Sequence, residues 1–274
     1  MGVIARKLTL ALLVAAVTPA TAAAGESPCW FEAGVLVVPA QLAGIAGDVV
    51  LDTGQPVTQL HETKAQAEGI ATEDVEAPAA TGPIRLAELE LPARAIPVAD
   101  LDVRGWNLPT PIIGVVGADV LKDLVLDVTF APCRVRLSRP GDEPAFRAAR
   151  SLPMAWDAGR PVVTAQVGDG VRQLSGLFAP STGQAAAVRL SQDVASVSGT
   201  DRLQELGPEG VWLARLAELR LAGRSLKDQA AGLEPPQGQS AGAIGAPALA
   251  RWRLRFDFPA GRLFLAPARQ SARQ

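Results

Sequence analysis

Two stretches of this chain repeat one another about 129 positions apart. Val49-Val50-Leu51-Asp52-Thr53-Gly54 is answered by Leu177-Phe178-Ala179-Pro180-Ser181-Thr182-Gly183, and 181 − 52 = 129. Arg85-Leu86-Ala87-Glu88-Leu89-Glu90-Leu91 matches Arg215-Leu216-Ala217-Glu218-Leu219-Arg220-Leu221 at an offset of 215 − 85 = 130. Val115-Val116-Gly117-Ala118 matches Ala243-Ile244-Gly245-Ala246 at 245 − 117 = 128, and the two copies close on Leu124 to Leu137 and Trp252 to Leu265. Two long copies make a duplicated domain, because solenoid repeats are much shorter. The register also sets Ser181 where the first copy has Asp52.

Short apolar or alternating runs bounded by Gly and Pro recur in each copy and read as strands. In the first they are Val35 to Val38, Gly47 to Leu51, Arg85 to Leu91, Arg94 to Val98, Leu124 to Phe130 and Arg134 to Leu137. The second repeats them as Val162 to Val167, Gly176 to Ala179, Val211 to Leu221, Leu254 to Phe258 and Arg262 to Leu265. Helices are few, with short ones expected after Gly117 and Gly245. The fold class is therefore mainly β, in two homologous lobes.

Residues 1 to 24 read as a signal peptide: Arg6 and Lys7 precede an apolar run from Leu8 to Val17, and Ala22-Ala23-Ala24 offers small residues for cleavage. A membrane anchor is the alternative, disfavoured because the run is well short of the ~20 residues a spanning helix needs. The first lobe then covers 25 to 138, a Pro- and Gly-bearing link 139 to 154, the second lobe 155 to 267, and a polar tail 268 to 274. Segments 72 to 83 and 234 to 242 read as turn-rich inserts. Removing the leader takes two basic residues from 26, so 24 Lys+Arg face 28 Asp+Glu, a net charge of −4. No basic patch points to nucleic acid. The expected location is periplasmic or secreted, with no membrane anchor after cleavage.

Export gives the two cysteines a meaning. Cys29 precedes the first strand-like run and Cys133 opens the last strand of the same lobe, so a disulfide is expected in an oxidising compartment, with two free thiols as the alternative. No metal is expected, since His61 is the sole histidine and no Cys/His cluster exists. His61 itself reads as a polar surface residue. No cofactor motif is present.

A hydrophobic strand ending in Asp-Thr-Gly, followed some 60 residues later by two apolar residues and a Gly, in a duplicated β chain, resembles the pepsin-like and retropepsin-like aspartic peptidases. The alternative is an unrelated duplicated sandwich or barrel. The resemblance implies two β-barrel-like lobes. Asp52, Thr53 and Gly54 of one would face Ser181, Thr182 and Gly183 of the other, with Val115, Val116, Gly117, Ala243, Ile244 and Gly245 packed behind in a ψ-shaped crossing. It also implies a flap near Glu76 to Leu86 and a cleft that takes an extended peptide or protein segment. Chemically, Asp52 supplies the matching carboxylate, Thr53 can hydrogen-bond across, and Gly54 permits close backbone approach.

Such peptidases need two carboxylates that share a proton around one water. Serine cannot titrate in that range, so the coupled pair is broken. Asp169 and Asp193, the nearest other acids in sequence, lack the following Thr-Gly and read as solvated turn residues. Two functions stay open: an aspartic-type peptidase using Asp52, completed by an unidentified group or a second subunit, or an inactive relative serving as a peptide-binding or assembly factor.

Overall fold

The computed structural model describes residues 24–70, 76–194, 204–206 and 211–268. The expected leader, apart from Ala24, lies outside the described residues, as does most of the tail. Among the described residues the strands close into two six-stranded barrels that share a third sheet. The first barrel runs Val35–Leu42, Ile45–Leu51, Ile112–Val116, Gln59–His61, Leu89–Ala99 and Ala79–Leu86, which pairs back onto Val35–Leu42. The second runs Arg160–Gly168, Gln173–Ser181, Gly242–Gly245, Val188–Ser191, Arg224–Glu234 and Val211–Leu221, closing in the same way. Burial follows the expected patterns. Ala79–Leu86 alternates exposed and buried through all eight residues, as one face of a sheet should, whereas Ile112–Val116 is buried throughout because both its faces are covered.

The shared sheet orders Ala24–Pro28, Cys133–Ser138, Val125–Phe130, Trp252–Asp257, Arg262–Pro267 and Arg150–Pro153. Its centre carries the pseudo-twofold axis. Leu126 pairs with Phe256 and Val128 with Leu254, two images of one contact at the 128 offset, so Asp127 lies opposite its own counterpart, Arg255. Identical residues there would repel. Divergence has made them complementary, and the Arg255 fork donates to both Asp127 oxygens at 2.6 Å. Related aromatic contacts, Phe31 on Phe130 and Trp156 on Phe258, pin an entry strand of each lobe to this sheet.

Cys29 and Cys133 are bonded, with Cα atoms 5.0 Å apart. The bridge closes a loop of 104 residues, worth up to about 4–5 kcal/mol in the chain-entropy account.

The expected strand Arg85 to Leu91 is instead two strands. Ala87 and Glu88 adopt positive φ (47° and 64°) and form a tight two-residue hairpin turn, a geometry usually signalled by Asn or Gly at these positions, and neither stands here. In the second lobe the turn falls at Ala222 and Gly223. Gln41 pairs with Arg85 and Gln166 with Arg220, so the structural offset here is 220 − 85 = 135, not 130. The Arg-Leu-Ala-Glu-Leu repeat is thus out of structural register. Past the hairpins, Val50 with Val115 and Ala179 with Ala243 restore 243 − 115 = 128. The first lobe therefore carries 135 − 128 = 7 extra residues between its hairpin and the ψ strand, and they include the short helix Asp102–Gly105.

Two further expectations change. Segment 72 to 83 is in part strand, since Ala79–Leu86 pairs along its length with Leu89–Ala99; 71–75 lie outside the described residues. The turn at Ala87 packs on Gly25 in the shared sheet, so this hairpin points away from Asp52 and does not form the expected flap. Its strand Leu89–Ala99 spans about 30 Å, and the far end, at Ala99, leads to the site.

Candidate functional site

The two repeated loops meet at the pseudo-twofold axis, each emerging from a strand locked to its own ψ strand. Leu51 pairs with Val116, and Asp52 N donates to Val116 O at 2.9 Å. Ser181 pairs with Gly245 in the second lobe. Behind the first loop, Gly117 N donates to the Thr58 hydroxyl (2.9 Å), which donates to Asp119 Oδ1 (2.7 Å). Behind the second, Gly245 N donates to Ala187 O at 2.9 Å. Val115, Ala243 and Ile244 fill the space between these strands and the cores.

The threonines lock the loops together reciprocally. Thr53 Oγ1 donates to Pro180 O (2.5 Å) and accepts from Thr182 N (3.2 Å); Thr182 Oγ1 donates to Leu51 O (2.6 Å) and accepts from Thr53 N (3.1 Å). Both are fully buried, so each hydroxyl satisfies one carbonyl and one amide that water cannot reach. The glycines permit this approach: a Cβ on Gly54 would lie 2.5 Å from Ser181 Cβ, and one on Gly183 would lie 2.5 Å from Asp52 Cβ.

Asp52 is 3% exposed and fully engaged. Its Oδ1 accepts from Ser181 Oγ at 2.6 Å and from Gly54 N at 2.8 Å, and its Oδ2 accepts from the Arg104 guanidinium at 2.6 Å. Burial alone would push the carboxyl pKa up. The Arg104 charge, the Ser181 hydroxyl and the Gly54 amide outweigh it and hold the group below its ordinary value. Asp52 is thus held toward its ionised form, an anchor with donors on both oxygens.

Arg104 comes from the helix that the second lobe lacks. Leu101, just before it, is buried with Val35, Val37, Val50, Ile112 and Val115. The Asp100 carboxylate accepts from Asp102 N (2.9 Å), and Asp102 faces His61 Nε2 at 3.2 Å. His61 is therefore a buried tether for this helix and not the surface residue the sequence suggested. In the second lobe the matching face is ionic. Counted through the pairs Val38–Val49 and Val163–Phe178, Arg160 stands where Val35 does (163 − 38 = 125; 160 − 35 = 125). Arg160 bonds Ser240 Oγ at 2.6 Å and Glu234 Oε1 at 3.4 Å, all three buried. Burial raises the Glu234 carboxyl pKa, only partly offset by Arg160.

The residues singled out in the sequence, Asp52 to Gly54 and Ser181 to Gly183, are brought together. Asp169 instead caps an exposed turn through Val171 N and Arg172 N, and Asp193 is exposed. Arg104, Asp119, Arg160 and Glu234 were not legible as site residues. The seven-residue surplus that carries Arg104 was hidden in the sequence, where the repeat offsets of 130 and 128 show only 130 − 128 = 2 of those residues. Among the described residues no group of three or more His, Cys, Asp or Glu could hold a metal.

Two barrels meeting through paired Thr-Gly loops, each backed by a ψ strand, define the bilobal aspartic-proteinase fold. The structure matches the crystal structure of aspartic proteinase from Irpex lacteus with a TM-score of 0.58, covering 91% of this chain and 99% of that chain at 12% identity. At that identity the likeness establishes the fold alone. No protein-family profile and no curated protein matches the sequence.

Proposed function

We propose that this chain is an exported, non-hydrolytic aspartic-proteinase-like protein that holds an extended peptide segment between its lobes without cutting it. The observation that carries this reading is the state of Asp52. Hydrolysis requires a carboxylate that takes a proton from water and a neighbour that gives one. Ser181, which we read as the replacement for a second aspartate, supplies a hydroxyl that donates to Asp52, and Arg104 occupies the other oxygen. The depressed pKa makes Asp52 a weaker base, and losing an acid–base partner is worth about 10² to 10⁴ in rate.

Binding is supported by the surroundings. Val57, Val103 and Trp106 are exposed on the loop and helix that bracket the Asp52–Arg104 pair, an apolar rim suited to side chains of an extended segment. The leader-like sequence and the disulfide support an exported protein.

Immobilised protein offered a library of unstructured peptides at acidic and neutral pH tests this. Mass spectrometry should find retained peptides and no new termini beyond those made by an Asp52→Asn variant. New termini that depend on Asp52 would establish a peptidase, and no retention at all would remove the binding role.

A further inference from the structure

The outer face of the shared sheet carries charge in rows that the Asp52 site does not use. In one row Glu26 lies opposite Arg136, Arg136 opposite Asp127, and Asp127 opposite Arg255. Every charge there has an opposite neighbour: Arg136 pairs with Glu26, and Arg255 with Asp127.

The next row, two residues along, differs. Arg134 lies opposite Thr129, and Arg253, adjoining the Leu254–Val128 pair, flanks Thr129 from the other side. Strands are about 4.8 Å apart, so the two arginines stand roughly 10 Å apart across one threonine, within converging reach of their side chains. Among the described residues no ion pair reaches either arginine. Summed over both rows, four arginines face two carboxylates, 4 − 2 = +2, on a chain whose overall charge is −2.

The inter-lobe link turns this row into a groove. Arg255 donates to Pro144 O at 2.7 Å, and the Phe146 ring stacks under Arg253 (5.3 Å) and Arg255 (4.9 Å). Arg134, Thr129, Arg253 and Phe146 line a cavity of about 370 Å³, with Pro132 and Ala145 as further apolar wall. Glu26 and Asp127 also line it, both already bonded to arginine.

We propose that this groove binds a tetrahedral oxyanion, a phosphate or sulfate group, on a small organic molecule or a lipid headgroup. Arg134, Arg253 and Thr129 bring two guanidinium groups and a hydroxyl to one groove, and the planar fork of arginine matches phosphate oxygens bidentately. The Phe146 wall accommodates the group that carries the anion. The site is on the shared sheet, so it stands whether or not the lobe interface binds peptide.

The test is titration of the whole protein with inorganic phosphate and with sulfate. Calorimetry reads affinity, and NMR of the arginine Nε–H groups reads the place. Phosphate should shift the Arg134 and Arg253 signals. Arg134→Gln and Arg253→Gln should each weaken binding about 10-fold or more, and the pair of changes should abolish it. Arg85→Gln, on the first barrel, should have no effect. A parallel arm uses vesicles of phosphatidylglycerol against phosphatidylcholine. Phosphate binding with arginine-dependent capture of the anionic vesicles supports the site and assigns a headgroup; phosphate binding without vesicle capture supports it and assigns a soluble ligand. No binding below about 10 mM phosphate, or binding that survives the double change, would overturn the proposal. Unchanged melting of the variants separates lost binding from lost fold.

Discussion

Arg104→Gln should destabilise the protein at neutral pH and much less in acid. Removing one partner of a buried ion pair costs about 3–5 kcal/mol, because the other charge is left without compensation. Arg104 is 29% exposed, so solvent already screens part of the pair, and Asp52 keeps its bonds to Ser181 and Gly54. A loss of about 2–3 kcal/mol follows, or roughly 5–10 °C in melting temperature for a chain of this size. The pH dependence gives the stronger check. In the native protein the folded pKa of Asp52 lies below its ordinary value, so its contribution is present at neutral pH and is lost as pH falls through that folded value. Without Arg104, burial, the largest influence on Asp52, pushes the folded pKa upward. The variant then gains stability relative to wild type as pH falls and Asp52 takes up a proton. Urea unfolding of both proteins across this range should show a gap that is widest near neutrality and closes in acid. An equal gap at all pH values would mean Arg104 acts only by packing, and no gap at neutrality would refute the ion pair as described.

Ser181→Asp alone should not produce cleavage, because Arg104 still holds Asp52; Ser181→Asp with Arg104→Ala should give Asp52-dependent cleavage in a fluorogenic peptide assay, and equal activity of the two would contradict the role given to Arg104. Thr53→Val should cost about 2–4 kcal/mol in chemical denaturation, since Pro180 O and Thr182 N both lose a buried partner, and a change under ~0.5 kcal/mol would show that the loops do not depend on this lock. Glu234→Ala should cost about 3–5 kcal/mol by leaving Arg160 buried and uncompensated, while Arg160→Leu with Glu234→Leu should be near neutral, measured by the same unfolding curves. Intact mass without reductant should show no free thiol, and Cys133→Ser should lower stability by about 2–5 kcal/mol.

The duplication and the facing loops were legible because each rests on local chemistry. A strand ending in Asp-Thr-Gly, with a ψ-strand glycine about 60 residues on, leaves few alternatives for how the loop can turn, and its copy supplies the partner. The disulfide was legible for a similar reason, since only two thiols exist and both fall at the edges of one lobe. Failures arose where tertiary context decided. Ala87 and Glu88 form a hairpin turn with no residue that favours positive φ, so the matching Arg-Leu-Ala-Glu-Leu run concealed a five-residue shift. Arg104 reaches Asp52 across 52 residues of sequence, and only a barrel that returns Leu101 to the face of Val50 brings it there. His61 looked exposed because its strand is three residues long and its partner Asp102 belongs to the inserted helix.

In the contacts described, Asp52 is an ionised anchor and not a proton-sharing acid. NMR titration of its carboxyl carbon distinguishes the two. A single step with its midpoint below the ordinary aspartate value of 3.8 is the predicted result. A midpoint at or above that value would contradict the account and return Asp52 to the role of a catalytic acid or base.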